Sequence, residues 1–390
     1  MDQDPIGTRR PPGWRRSLQL VLATAWLLDG VLQLQPVMFS RGPHGLSAML
    51  AGTAAGNPEP VASSITWLAG VVGHHSAPAD LAFATVQILL GLGIAWRRSV
   101  KAALAASVPW ALAVWWFGEG LGGVLHGTGT PVLGGPGAVL LYAVLAVVLW
   151  PAGSAVSGGH EADGGVAPFV AAATLGARAS KALWAALWSS MALLSLLGAS
   201  TPPAVGAGAA GMGAGEPGWL AALDRHVAAL VAARGLAVAA VVAVVCLAVA
   251  AGVYLPPAGA RAAVVLAIAT SLGIWVVTEN LGTVLAGGAT DPSSGPLLVV
   301  LALAYWPGPG ARRASRARGA GSDPARAPAE RAPKGCEAGA GRLALPRRRG
   351  PENLRANERD YGRDERQAGN ERRCDGDGER WAERTEKPEA

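Results

Sequence analysis

A carboxylate set into the last turns of an apolar helix is the feature that most limits how this chain can fold. It occurs in Trp115-Trp116-Phe117-Gly118-Glu119-Gly120-Leu121-Gly122 and returns in Trp275-Val276-Val277-Thr278-Glu279-Asn280-Leu281-Gly282. Each copy is followed by a Gly/Thr loop, a Pro and a short apolar span ending in Trp-Pro. Apolar blocks repeated in this way belong in a bilayer, where every backbone polar group must be paired inside the protein and helices do that within one segment. The sequence therefore predicts an all-α integral membrane protein built from a duplicated unit.

A span needs about twenty apolar residues, or fewer where interfacial residues flank it. By that measure the candidate spans are 17–37, 80–95, 100–125, 136–150, 182–199, 235–255, 262–286 and 295–306. They group as two tandem four-helix units, 17–151 and 181–307, with a period of about 160 residues. A basic segment, 1–16, precedes them, a Gly/Ala-rich linker, 152–180, joins them, and a polar tail, 308–390, follows. Four spans per unit give both copies one orientation, so the expected symmetry is a pseudo-two-fold axis along the membrane normal.

The apolar fraction is 51% and the net charge is +6. About twenty of the 33 Lys and Arg lie in the tail, so the basic balance is no argument for nucleic-acid binding. The tail alternates Arg with Asp and Glu, has few aliphatic residues and is expected to be disordered. Cys246 lies in an apolar span and Cys336 and Cys374 in the tail, without the spacing of a redox or zinc motif. Arg9, Arg10, Arg15 and Arg16 precede the first span, which contains Asp29 and no small-x-small cleavage site; it is expected to be retained rather than removed as a signal. Lys and Arg concentrate in the N-terminus, around Arg97, Arg98 and Lys101, at Arg178 and Lys181, at Arg261 and at the start of the tail. The positive-inside rule then predicts cytoplasmic N- and C-termini in a bacterial plasma membrane.

Both first connections of the units carry helical apolar spacing: Val61, Ile65, Leu68 and Val72 in one, Leu220, Leu223, Val227 and Leu230 in the other. Each predicts an amphipathic helix on or dipping into the membrane. The candidate polar intramembrane site comprises Asp29, Gln33, Glu119, Glu279 and Asn280. Intramembrane acids usually face a bundle interior or water and mark proton or ion pathways; close to a helix end, they can equally bond a neighbouring helix. Gly118 with Gly122, and Thr278 with Gly282, are small pairs that bring a second backbone close. Asp29 and Gln33 share a helix face, and counting from the basic ends puts Gln33 and Glu119 at similar depth, which allows a cluster of Asp29, Gln33 and Glu119. In the second unit the matching first-span positions are Met191 and Ser195.

His74-His75, with Asp80 and Glu119, has the chemistry for an outward metal site, but adjacent histidines diverge and the expectation is no metal ligand set. Nucleotide and hydrolase signatures are missing, so enzymatic activity is not expected and no motif assigns a cofactor.

The first span, Trp26 to Pro36, and the third, Trp115 to Gly123, resemble those of uncharacterised polytopic proteins of high-G+C bacteria, and each four-span unit resembles the DoxX-type family. The resemblance is good over 17–151, weak in the second unit and absent from the tail. It implies a four-helix unit and, through family members linked to quinone-dependent sulfur oxidation, a redox accessory role. The residues themselves favour a transporter-like protein in which intramembrane acids handle a proton, cation or small polar solute. A DoxX-like component of a quinone-linked or metal-handling system, with a redox partner, is the alternative; a non-catalytic scaffold, possible as a homo-oligomer, is the third. The lipid bilayer is a partner in all three, and nucleic acid in none.

Overall fold

The computed structural model describes residues 13–40, 42, 45–151, 168–201, 205–208, 215–287 and 289–308. The basic residues 1–12, Arg41, His44, linker residues 152–167 with His160, and the tail from 309 with Cys336 and Cys374 lie outside the described residues. By internal contacts the chain divides into 1–327 and 328–390, and all described residues belong to the first unit.

Every regular element among the described residues is helical. In chain order these are α1 (Trp14–Gln33), α2 (Leu46–Thr53), α3 (Glu59–His74), α4 (Ser76–Ala95), α5 (Val100–Phe117), α6 (Ala138–Val148), α7 (Ala172–Leu175), α8 (Ala177–Gly198), α9 (Gly218–Gly252), α10 (Pro257–Val277) and α11 (Ser294–Ala304). Short 3-10 segments, Gly120–His126 and Asn280–Ala286, follow α5 and α10. α1 stops before Pro36, which has no N–H to continue the ladder and disfavours a helical residue before it.

Within each half the long helices pack in chain order, with α2 and α3 set aside from the α1–α4 contact. α1 packs on α4, α4 on α5 and α5 on α6; α8 packs on α9, α9 on α10 and α10 on α11. α11 then meets both α6 and α1. The α1–α4 contact is a close one: a Cβ on Gly91 would lie 2.8 Å from the Ala23 carbonyl oxygen, and one on Gly30 would lie 3.0 Å from that of Ala84. Small residues at a crossing give backbone packing that does not depend on the hydrophobic effect.

Five helical segments are long and apolar enough to cross a membrane: α4, α5, α8, α9 and α10 taken with the 3-10 segment after it. α6 and α11 have only eleven residues each, about 16 Å, or half of a roughly 30 Å hydrocarbon core. Along α9 the outer face leaves Leu236, Val241 and Val244 between 65% and 70% exposed, an arrangement that lipid covers and water penalises. Inside, Trp26 packs on Tyr142 with ring centroids 4.3 Å apart, and Trp184 on Tyr305 at 4.6 Å.

The two expected amphipathic helices exist with one correction. α3 buries Val61, Ile65, Ala69 and Val72, close to the predicted face. In α9 the buried positions before the kink are Leu220, Asp224, Ala228 and Val231, one step round from the predicted stripe, and Leu230 is exposed. An acid at Asp224 hid that face from a count of apolar residues. α3 and α4 are separated at His75 (φ −126°, ψ 43°), and α9 breaks with nearly the same dihedrals at Arg234 (φ −138°, ψ 35°).

The bundle has chemically distinct ends. At one, the Arg15 guanidinium donates to the carbonyls of Trp150 and Val170, Arg16 donates to those of Ile94 and Ala95, and the Gln19 amide donates to Leu149 O at 2.8 Å. Apart from that of Val170, these carbonyls lie at the C-terminal ends of α4 and α6, where orphan acceptors and the negative end of the helix dipole gather. The other end carries the acids.

Candidate functional site

The acid motifs lie just past the helices rather than in their last turns. α5 ends at Phe117; the amides of Gly118 and Glu119 donate to Val114 O at 2.7 and 3.1 Å, and the chain then changes hand. Gly120, Leu121, Gly122 and Gly123 have φ of +55°, +59°, +61° and +70°. After α10, Asn280, Leu281, Gly282 and Thr283 have φ of +51°, +57°, +79° and +52°. A left-handed conformation costs a non-glycine residue about 1–2 kcal/mol, so packing must hold Leu121, Asn280, Leu281 and Thr283. At Gly122 only glycine fits, because a Cβ would lie 2.1 Å from Pro136 O.

The reversal turns each carboxylate back onto the next helix. Val139 N donates to Glu119 Oε1 at 3.0 Å, at the start of α6. At the start of α11, Ser294 N and the Ser294 hydroxyl donate to Glu279 Oε1, and Gly295 N donates to Oε2 at 2.9 Å. Neither α6 nor α11 has a side-chain cap of its own. The glutamates therefore take the place of N-caps from across the loop, meeting orphan N–H groups and the positive end of the dipole.

Glu119 and Glu279 open onto the same cavity, of about 420 Å³, and Asp291 joins them there with His126, Thr128 and Thr283. Among the described residues no Lys or Arg lines it. Asp291 accepts from Ser293 N at 2.7 Å and from the Thr290 hydroxyl at 3.0 Å. Burial pushes its carboxyl above the ordinary aspartate range in spite of those bonds. Charge on Asp291 acts on Glu119, Glu279 and Asp29, and charge on Glu279 acts on Glu119.

Asp29 is buried on α1 beside the Tyr142 hydroxyl, with its Oδ1 unpaired among the described residues. Gln33 does not turn to Glu119: its Nε2 donates to Asp80 Oδ1 at 3.1 Å. Asn280 Nδ2 donates to Asp224 Oδ2 at 2.7 Å, a buried pair. Asp224, Asp291 and Tyr142 thus belong to the polar interior without having been singled out by sequence. Asp80, which the sequence sets beside His74, His75 and Glu119 as metal-site chemistry, instead accepts from Gln33. Asp291 carried a usable signal, being the one acid in an otherwise Gly/Ala/Thr/Pro/Ser loop.

His74 Nδ1 lies 2.7 Å from its own helix's Gly70 O and is exposed. His126 Nδ1 lies 2.9 Å from the Thr128 hydroxyl at the cavity wall. Among the described residues no group of three or more His, Cys, Asp or Glu is placed to hold a metal ion. Comparison with protein-family models, curated proteins and solved structures returns no match. Function has to be argued from the cavity itself.

Proposed function

We propose that the chain is a transporter-like membrane protein whose acidic cavity takes up a proton, a cation or a small polar solute. The observation that carries this is the convergence of Glu119, Glu279 and Asp291 on one cavity without a lining Lys or Arg. Negative charge gathered in a partly desolvated space calls for protons or a bound cation. The broken path also suits the role: irregular backbone at membrane depth is tolerated where it lines a cavity, and half-length helices such as α6 and α11 recur at transporter sites.

The same proposal takes the chain as two tandem four-helix units making eight membrane crossings in a bacterial plasma membrane, with both termini cytoplasmic. Supporting it are the matched left-handed runs after Glu119 and Glu279, the matched breaks at His75 and Arg234, and the parallel order of neighbours in α1, α4, α5, α6 and in α8, α9, α10, α11. The arginine-rich end is then the cytoplasmic one.

A scaffold without transport is the second reading, favoured by the helix-capping contacts of both glutamates. A DoxX-like redox or metal-handling role is supported by the sequence resemblance alone. Proteoliposomes holding the full chain and a trapped pH dye, challenged with a pH step and with methylammonium, separate these. Flux that wild type supports and Glu119→Gln loses sustains the transport proposal. Wild-type vesicles no leakier than empty ones, with the variant altered only in thermal stability, sink it in favour of the scaffold.

A further inference from the structure

The end of the bundle opposite the acids holds a second cavity, of about 480 Å³, lined by Trp14, Arg15, Arg16, Gln19 and Arg97 among others. Among the described residues its lining contains no carboxylate. Arg15 and Arg16 are anchored by carbonyl groups, which fix the positions of their charges and do not neutralise them. Arg97, in the turn between α4 and α5, is exposed and donates to no acceptor among the described residues. It stands close enough to Arg16 for the two charges to repel. Gly13 and Trp14, at the N-terminus of α1, belong to the same lining, and no side chain caps that helix. Two held guanidiniums, one unengaged guanidinium and an uncapped twenty-residue helix are the donors that a phosphate group uses.

We propose that this cavity binds a phosphate group, carried by an anionic phospholipid headgroup or present as free phosphate. Trp14 and Trp96, 50% and 62% exposed beside the arginines, suit the headgroup source, since exposed Trp collects at that depth of a membrane. Basic pockets between helices at the membrane boundary are established recognition sites for such headgroups.

The test uses the full chain in neutral detergent, with bound ligand counted by native mass spectrometry. Phosphatidylglycerol, phosphatidylcholine with the same acyl chains, and inorganic phosphate are titrated separately. Arg97→Gln removes the unengaged donor, and Arg98→Gln removes the same charge one residue away, outside the lining. Phosphatidylglycerol should bind in preference to phosphatidylcholine, weaken about fivefold in Arg97→Gln and change less than about twofold in Arg98→Gln. If inorganic phosphate binds with the same dependence on Arg97 and the lipid does not, the site stands with free phosphate as its source. Equal losses in the two variants would assign the effect to diffuse surface charge and overturn the proposal. So would failure of both phosphatidylglycerol and phosphate to bind above phosphatidylcholine.

Discussion

The loops that carry the two acids, 118–137 and 278–293, follow one backbone device and reach different chemistry. In both, a glutamate precedes four left-handed residues and returns to the N-terminus of a short helix. The first loop fills the variable places with glycine or alanine, at Gly120, Gly123, Gly135, Gly137 and Ala138; the second has Asn280, Thr283, Asp291, Ser293 and Ser294. Glu279 is consequently held by two amides and a hydroxyl, while Glu119 has one amide on Oε1 and no partner for Oε2 among the described residues. Glycine leaves the first carboxylate chemically available, and polar side chains tie the second into the fold.

The largest expected effect comes from adding a methyl group to each loop. In Gly122→Ala the new Cβ would lie 2.1 Å from Pro136 O and 2.5 Å from its carbonyl carbon, both backbone atoms that a rotamer change cannot move. Overpacking and the left-handed φ together should cost roughly 3–4 kcal/mol. In Gly282→Ala the nearest atoms, on Pro292, are 3.0 Å away, and the cost should be about 1–2 kcal/mol. Thermal unfolding of the detergent-solubilised full chain measures both. Equal losses would mean that the two loops are packed alike and would remove the basis for contrasting them.

Truncating the acids sharpens the contrast. Glu279→Ala leaves Ser294 N, the Ser294 hydroxyl and Gly295 N without their acceptor at the buried start of α11, for a loss of about 3 kcal/mol. Glu119→Ala leaves only Val139 N, for about 1 kcal/mol. The same unfolding assay decides it. A Glu119 variant that is the less stable of the two would make Glu119 the structural cap and Glu279 the better candidate for chemistry.

How far the sequence went follows from which forces act locally. Apolar blocks bounded by Gly, Pro and Arg mark out the helices because burial and helix termination are written in adjacent residues. The end of α5 was overrun because Trp115, Trp116 and Phe117 keep the helix apolar up to the acid, and only the left-handed turn stops it. The pairing of Gln33 with Asp80 spans 47 residues and that of Asn280 with Asp224 spans 56; spacing along one chain contains no trace of such contacts. That Glu119 and Glu279 share a cavity depends on α11 meeting α6 and on both loops folding back, which are tertiary events. The motif marks Glu119 and Glu279 but contains nothing that shows their convergence on one cavity.

The smallest expected effect tests the acid that only the second loop possesses. Asp291 stands before Pro292 where the first loop has Gly135 before Pro136. Burial raises its carboxyl above the ordinary 3.8, against the bonds from Ser293 N and Thr290 that favour the charged form. The folded chain therefore holds this proton more tightly than the unfolded chain does. Stability through Asp291 is greatest below the ordinary value and falls as pH rises from 3.8 through the raised folded value. Asp291→Asn keeps an acceptor for Ser293 N and removes the titration, so unfolding midpoints followed across that window should fall less steeply with pH than in wild type. An unchanged slope would show that water or a bound cation already compensates Asp291. The second loop would then resemble the first in keeping a carboxylate open to the cavity, and Asp291 rather than Glu279 would be the partner of Glu119.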